Sequence, residues 1–233
     1  ERVFGEQLGP GRSSRALAIV HVAIHDAINA IRDRYTRYTS ISQGSPLASV
    51  DAAIAQAAHD TLVAMFPSQR SIFDRELAND LGQIQNLPTK SDGIAIGRRA
   101  AEAILTARAD DASNHIEPRI GEEYVPGDEP GVWRQDPISE LPVALGALWG
   151  QVTPFVLTSS AQFRAPPPPA LTSASYTAAY KEVKRLGGDG VVTPTQRTAN
   201  QTFVGIYWGY DGTPRLGAPP RLYNQITMTI ASQ

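Results

Sequence analysis

Residues Arg12–Ile31, RSSRALAIVHVAIHDAINAI, decide how this chain is read. The stretch is apolar on almost every side, yet it carries two His, an Asp, an Asn and two Arg. A helix apolar on most of its circumference is buried on most of it. At about 100° per residue, Ser14, His21, His25, Asn29 and Arg32 fall in one narrow seam. Arg15, Asp26 and Asp33 fall in a second. The spacing predicts a central helix whose polar groups find partners inside the protein. The seams are then either a site or internal wiring.

The rest of the chain has to supply what surrounds that helix. It has 233 residues, 42% hydrophobic and 19% charged, which is globular composition for one large domain or two small ones. A net charge of −2 gives no electrostatic case for nucleic acid. Cysteine is absent, so disulfides, thiolate metal sites and a cysteine nucleophile are excluded. No uncharged apolar run reaches the roughly 18 residues of a transmembrane span. The chain opens on Glu1 rather than Met, which implies a removed signal peptide or an arbitrary boundary. At the other end RLYNQITMTIASQ places Leu222, Ile226 and Ile230 at helical spacing, then stops without Gly, Asn or Pro. It reads as cut off rather than finished.

Further helices follow the first. Ser49 is a candidate cap for SVDAAIAQAAHDTLVAMF, which Pro67 ends, and a third helix covers about 68–85 until Pro88 closes it. A fourth is expected from a cap at Ser91 to about Arg108. Its Gly93 and Gly97 lie four apart, and since Gly costs a helix about 1 kcal/mol against Ala, the pair predicts a neighbouring backbone packed very close. From 110 to 171 turn formers and prolines dominate, including the polyproline segment RAPPPPALTS. An ordered arm over the helices is expected there, burying Trp133, Trp149, Phe155 and Phe163. Helices resume with SASYTAAYKEVKRL, capped by Thr172 or Ser173. Thr193-Pro194-Thr195-Gln196 combines a cap, Pro at the first helical position and Gln at the capping-box position, which predicts a helix from there to about Trp208. The fold class is all-α, in three parts: an N-terminal helical bundle over 1–110, an irregular Pro/Gly/aromatic arm over 111–172, and further helices over 173–233.

His21 and His25 are four apart on a helix, a spacing that lets two imidazoles reach one metal, and Asp26 is the adjoining candidate ligand. The metalloprotease pattern needs Glu directly after the first His, and Val22 stands there. The plainer alternative, which the residues favour, is that His21, His25 and Asn29 are internal hydrogen-bonders and that Arg15 and Asp26 form a buried pair. His59 with Asp60 and His115 with Glu117 are acid–imidazole neighbours of a kind common on surfaces. Asp110, Asp111, Glu122, Glu123, Asp128 and Glu129 are loop acids that suit Ca²⁺ by chemistry, not by EF-hand spacing. There is no Gly-x-Ser-x-Gly elbow, P-loop or dinucleotide fingerprint.

The ordered series SSRALAIVHVAIHDAINAI, GIAIGRRAAEAILTARADD, YVPGDEPGVWRQ, VTPFVLTSSAQFRAPPPPALTSASYTAAYKEVKRLG, TPTQRTANQTFVGIYW and RLYNQITMTIA resembles the bacterial vanadium-dependent haloperoxidase-like proteins of the type-2 phosphatidic acid phosphatase superfamily. The resemblance implies an all-helical enzyme of two four-helix bundles, one of which holds vanadate or phosphate. Members oxidise halide with peroxide or hydrolyse phosphate monoesters, and both need a cationic cage for an oxyanion with an axial imidazole. The family signature is Lys-x6-Arg-Pro, then Pro-Ser-Gly-His, then Ser-Arg-x5-His, and there is no Arg-Pro dipeptide and no Ser-Gly-His anywhere in this sequence.

The resemblance is therefore to the N-terminal half. It carries no catalytic or cofactor-binding residue onto this chain. It implies vanadate held by a C-terminal catalytic half, of the same polypeptide or a separate chain, and a secreted or periplasmic protein. An acid phosphatase of the same superfamily and a non-enzymatic helical module that binds a partner or forms a homo-oligomer are the alternatives.

Overall fold

The computed structural model describes residues 6–7, 9–85, 87–209 and 218–232; Glu1 lies outside them. Among these residues there are seven α-helices: α1 Gly9–Arg32, α2 Val50–Met65, α3 Arg70–Gly82, α4 Pro88–Ala107, α5 Ala174–Leu186, α6 Ala199–Trp208 and α7 Ala218–Ala231. Short 3-10 turns occupy Pro67–Gln69 and Trp149–Gln151. Among the described residues, extended pairing is limited to isolated bridges, Arg119 with Val143 and Ile120 with Tyr124. The all-α class holds.

The chain divides into two compact units. The first is Glu1–His115 with Gln151–Thr153, and the second is Ile116–Gly150 with Pro154–Gln233.

In the first unit α1, α2 and α4 pack mutually and α3 lies on α2. Their core is rich in small side chains: Ala16, Ala23 and Ala27 of α1, Ala53 and Ala57 of α2 and Ala100 of α4 are fully buried, alongside Ile19 and Ile104. Small faces let helix axes approach closely, and the two glycines of α4 take this to the limit. A Cβ on Gly93 would stand 2.3 Å from the Ser49 carbonyl oxygen, and one on Gly97 2.4 Å from that of Ala53. Both distances are far inside contact, so α4 lies directly against the α2 backbone, as the four-residue spacing predicts. At the top of this seam Ser49 caps α2, accepting from the Ala52 N–H, while its own N–H donates to the Thr89 carbonyl of α4.

Two helix starts differ from expectation. α4 begins at Pro88, not at a Ser91 cap. A proline suits the first helical turn, where its missing N–H is not needed, so Pro88 opens a helix rather than closing one. α6 begins after Thr198, whose hydroxyl accepts from the Gln201 N–H while the Gln201 side chain accepts from the Thr198 N–H. Thr-x-x-Gln occurs twice here, at Thr193 and at Thr198. The first copy is lost to the helix because the Asp189 carboxylate accepts the N–H groups of Val191, Val192 and Thr193 and folds them into a turn.

The arm also differs. Trp133 is 47% exposed and Phe163 78% exposed, so neither is buried. Trp133 stacks edge-on against Tyr124, ring centroids 5.4 Å apart. The polyproline run is exposed throughout.

Candidate functional site

The first α1 seam is a solvent stripe. Ser14, His21 and Arg32 are exposed, so His21 is not an internal hydrogen-bonder, whereas the 42%-exposed His25 ring reaches the buried Asp26 carboxylate. Asn29 alone of that seam is buried. It earns burial through the loop that follows α1: its side-chain oxygen accepts from the Tyr35 N–H at 2.9 Å, and its amide donates to the His25 carbonyl at 2.8 Å.

Asp26 is fully buried and faces the same loop. Its carboxylate accepts from the Tyr38 N–H and the Thr39 N–H, both at 2.7 Å, and from the Thr39 hydroxyl at 2.5 Å. His25 Nδ1 lies 3.1 Å from Oδ1, the oxygen that also accepts from Tyr38. Arg15 is not its partner. Asp26 is a loop anchor, and the donors already on it leave little room for a cation. Above the anchored loop lies an open cleft of about 540 Å³, lined by Arg34, Tyr35, Arg37 and Ser40 among others. Arg37 itself donates to the Asn29 carbonyl and to Asp33.

Arg15 goes elsewhere, to a node that the sequence reading missed. Its Nε donates to Asp111 Oδ2 at 2.7 Å and its Nη2 to the Arg108 carbonyl at 2.9 Å. Arg108 Nε donates to the same Asp111 oxygen at 2.9 Å, and its Nη2 to the Thr153 carbonyl. Asp111 Oδ1 accepts from the Ser113 N–H. Burial pushes the Asp111 carboxyl upward, but the hydrogen bonds from Arg15 and Ser113 outweigh it and hold the group below the usual carboxylate range. The one legible signal was local: Arg108 and Asp111 stand three apart at the end of α4, where side chains on one face meet.

Of the other acid–imidazole neighbours, His59 and Asp60 pair, and His115 and Glu117 take different partners. His59 bridges Asp60 and Asp74, whereas His115 turns its Nδ1 to the Ala112 carbonyl and Glu117 accepts from the Gly146 N–H. Of the loop acids, Glu122 and Glu123 engage Arg119. Among the described residues no group of three or more His, Asp or Glu is arranged to hold a metal ion.

This architecture can be compared with known proteins. No family model matches the chain. Over 98% of its length the chain is 28% identical to vanadium chloroperoxidase of Curvularia inaequalis. The chain is thus similar in sequence to a vanadium haloperoxidase. The crystal structure of a bacterial vanadium-dependent iodoperoxidase shares its fold, with a TM-score of 0.63 and 24% identity over 76% of the chain. In both comparisons the chain spans 45% of the relative's length.

The relatives' names imply vanadate, an oxyanion that needs several cationic donors around it and an imidazole on its axis. The described residues do not fit it. The buried guanidiniums of Arg15 and Arg108 are turned onto Asp111 and backbone carbonyls. His21 and His25 lie along a solvent stripe.

Proposed function

We propose that this chain is the N-terminal scaffold of a vanadium-dependent haloperoxidase-like enzyme, whose vanadate cage belongs to a C-terminal half that covers α6 and α7. The observation that carries the reading is the state of those helices. Neither α6 nor the described part of α7 buries a single side chain. On α6 Phe203, Ile206, Tyr207 and Trp208 are 61–73% exposed, and on α7 Tyr223, Met228 and Ile230 are 62–67% exposed. Exposed apolar surface of this extent marks an interaction face. Burying a large apolar side chain is worth about 1.5–3 kcal/mol, so seven of them represent roughly 10 kcal/mol or more of burial not realised within the chain. The relatives extend well beyond the matched part, which agrees in size with a second bundle. The activity of the assembled enzyme is then peroxide-dependent oxidation of a halide.

The test is reconstitution. The chain is mixed with a polypeptide carrying Lys-x6-Arg-Pro, Pro-Ser-Gly-His and Ser-Arg-x5-His, and hydrogen exchange of α6 and α7 is followed together with halide oxidation. Stable association, slowed exchange in both helices and vanadate-dependent turnover are expected. Unchanged exchange in α6 and α7 would remove the reading. So would vanadate binding by this chain alone, detected by ⁵¹V NMR. Self-association of the chain through the same helices would instead favour the oligomerisation module.

A further inference from the structure

His59 has a carboxylate on each ring nitrogen. Nδ1 is 2.8 Å from Asp60 Oδ1 on its own helix, and Nε2 is 2.7 Å from Asp74 Oδ1 on α3. The ring is only 13% exposed. An ionised carboxylate accepts but does not donate, and a neutral imidazole donates from one nitrogen only. Two such contacts therefore call for both ring protons, which is the imidazolium form. Among the described residues no Lys or Arg is ion-paired with Asp60 or Asp74, so His59 is the cation both acids share. Neither α1 nor α4 places a charged group in bonding contact with the ring; Gln56, the remaining neighbour, is neutral and donates to Asp60.

α3 depends on fasteners of this sort. It buries no residue, and its Phe73 and Leu77 are half-buried on the side that packs on α2. Its two ends are tied, one through the Pro67–Gln69 turn and the other through Lys90, which donates to the Leu81 and Ile84 carbonyls. Among the described residues, His59–Asp74 is the ion pair that ties its middle to α2.

We propose that His59 is a proton-operated latch that fastens α3 to α2. With both ring nitrogens protonated the latch is closed. Asp60 is the adjoining residue and is further held by Gln56, so Nδ1 keeps its proton and Nε2 gives its proton to solvent. The lone pair left on Nε2 then faces the Asp74 carboxylate. That contact turns repulsive, α3 lifts, and the apolar side of Phe73 and Leu77 is uncovered. This inference is independent of the haloperoxidase reading.

Histidine is the side chain whose charge ordinarily changes between about pH 5 and 8, which sets the experiment. Hydrogen-exchange protection factors of the full chain are measured at both ends of that range, with α4 as the internal reference. Protection of α3 should fall about fivefold relative to α4 as the pH rises, equivalent to ~1 kcal/mol at 1.4 kcal/mol per decade. His59→Gln should abolish the pH dependence, with α4 protection reporting that the bundle is intact. In the wild-type chain ¹⁵N NMR should show both ring nitrogens protonated at the acid end and the Nδ1–H form at the other. Protection of α3 that tracks α4 at every pH, or a fivefold fall that survives in His59→Gln, would overturn the latch.

Discussion

Arg15, near the start of α1, and Asp111, just past the end of α4, are joined by a 2.7 Å ion pair with side chains 10% and 2% exposed. The pair spans 95 intervening residues and fixes where α4 ends against α1. Arg108 closes on the same carboxylate oxygen, so one acid holds two guanidiniums.

Removing that acid leaves two cations facing each other in the interior. Asp111→Ala should therefore lower the stability of the first unit by about 3–5 kcal/mol, the range for breaking a buried pair by deleting one partner. Urea unfolding at neutral pH checks it. The pH dependence has a definite sign. The folded-state carboxyl is held below its ordinary value, so its stabilisation is complete above the ordinary carboxylate range and is lost as pH falls through the folded-state value. The gap between wild type and Asp111→Ala should thus narrow in acid.

Asp26 and His25 are neighbours with unlike expected effects. Asp26→Ala strands the Tyr38 and Thr39 donors that its carboxylate now satisfies, at about 2–3 kcal/mol. The loop after α1 should loosen with it, exposing Arg34 and Arg37 to trypsin. His25→Ala should change stability by less than about 1 kcal/mol, since its ring is half in solvent and an ion pair so placed is weak. Limited tryptic digestion with unfolding curves separates the two.

What was legible in the sequence follows from range. Local patterns were read correctly where one pattern had one outcome. The periodicity of α1, the Ser49 cap and the Gly93/Gly97 face each predict what the structure contains. Where a pattern had two outcomes, sequence order alone could not choose, as with the paired Thr-x-x-Gln boxes or a Pro88 able to end one helix or begin another. Long-range partners were not legible. Periodicity puts Arg15 and Asp26 in one seam, but a long guanidinium stem reaches off its own helix to Asp111, whereas the short Asp26 carboxylate takes the nearest backbone donors. The solvent stripe of His21 and His25 was hidden for a related reason: an Ala-rich helix lets its neighbours pack so tightly on one side that the opposite side stays open. The Arg-Pro and Ser-Gly-His parts of the signature are absent from the sequence.

The two kinds of glycine in this chain give the sharpest test of the packing. Gly97→Ala adds a methyl 2.4 Å from the Ala53 carbonyl oxygen and 3.0 Å from the Ala57 nitrogen, both backbone atoms that cannot swing away. α4 must then move off α2. The cost of overpacking, about 1–3 kcal/mol and occasionally more, outweighs the gain of about 1 kcal/mol that Ala brings to a helix. Gly205, inside α6, has nothing within 4 Å of the same added carbon. Gly205→Ala therefore keeps the whole propensity gain and should slow hydrogen exchange across α6 by roughly fivefold. Opposite signs for one substitution at two helical glycines are expected, by urea unfolding for Gly97 and by exchange for Gly205. A stabilising Gly97→Ala would mean that α2 and α4 stand farther apart than the contact with Ala53 requires.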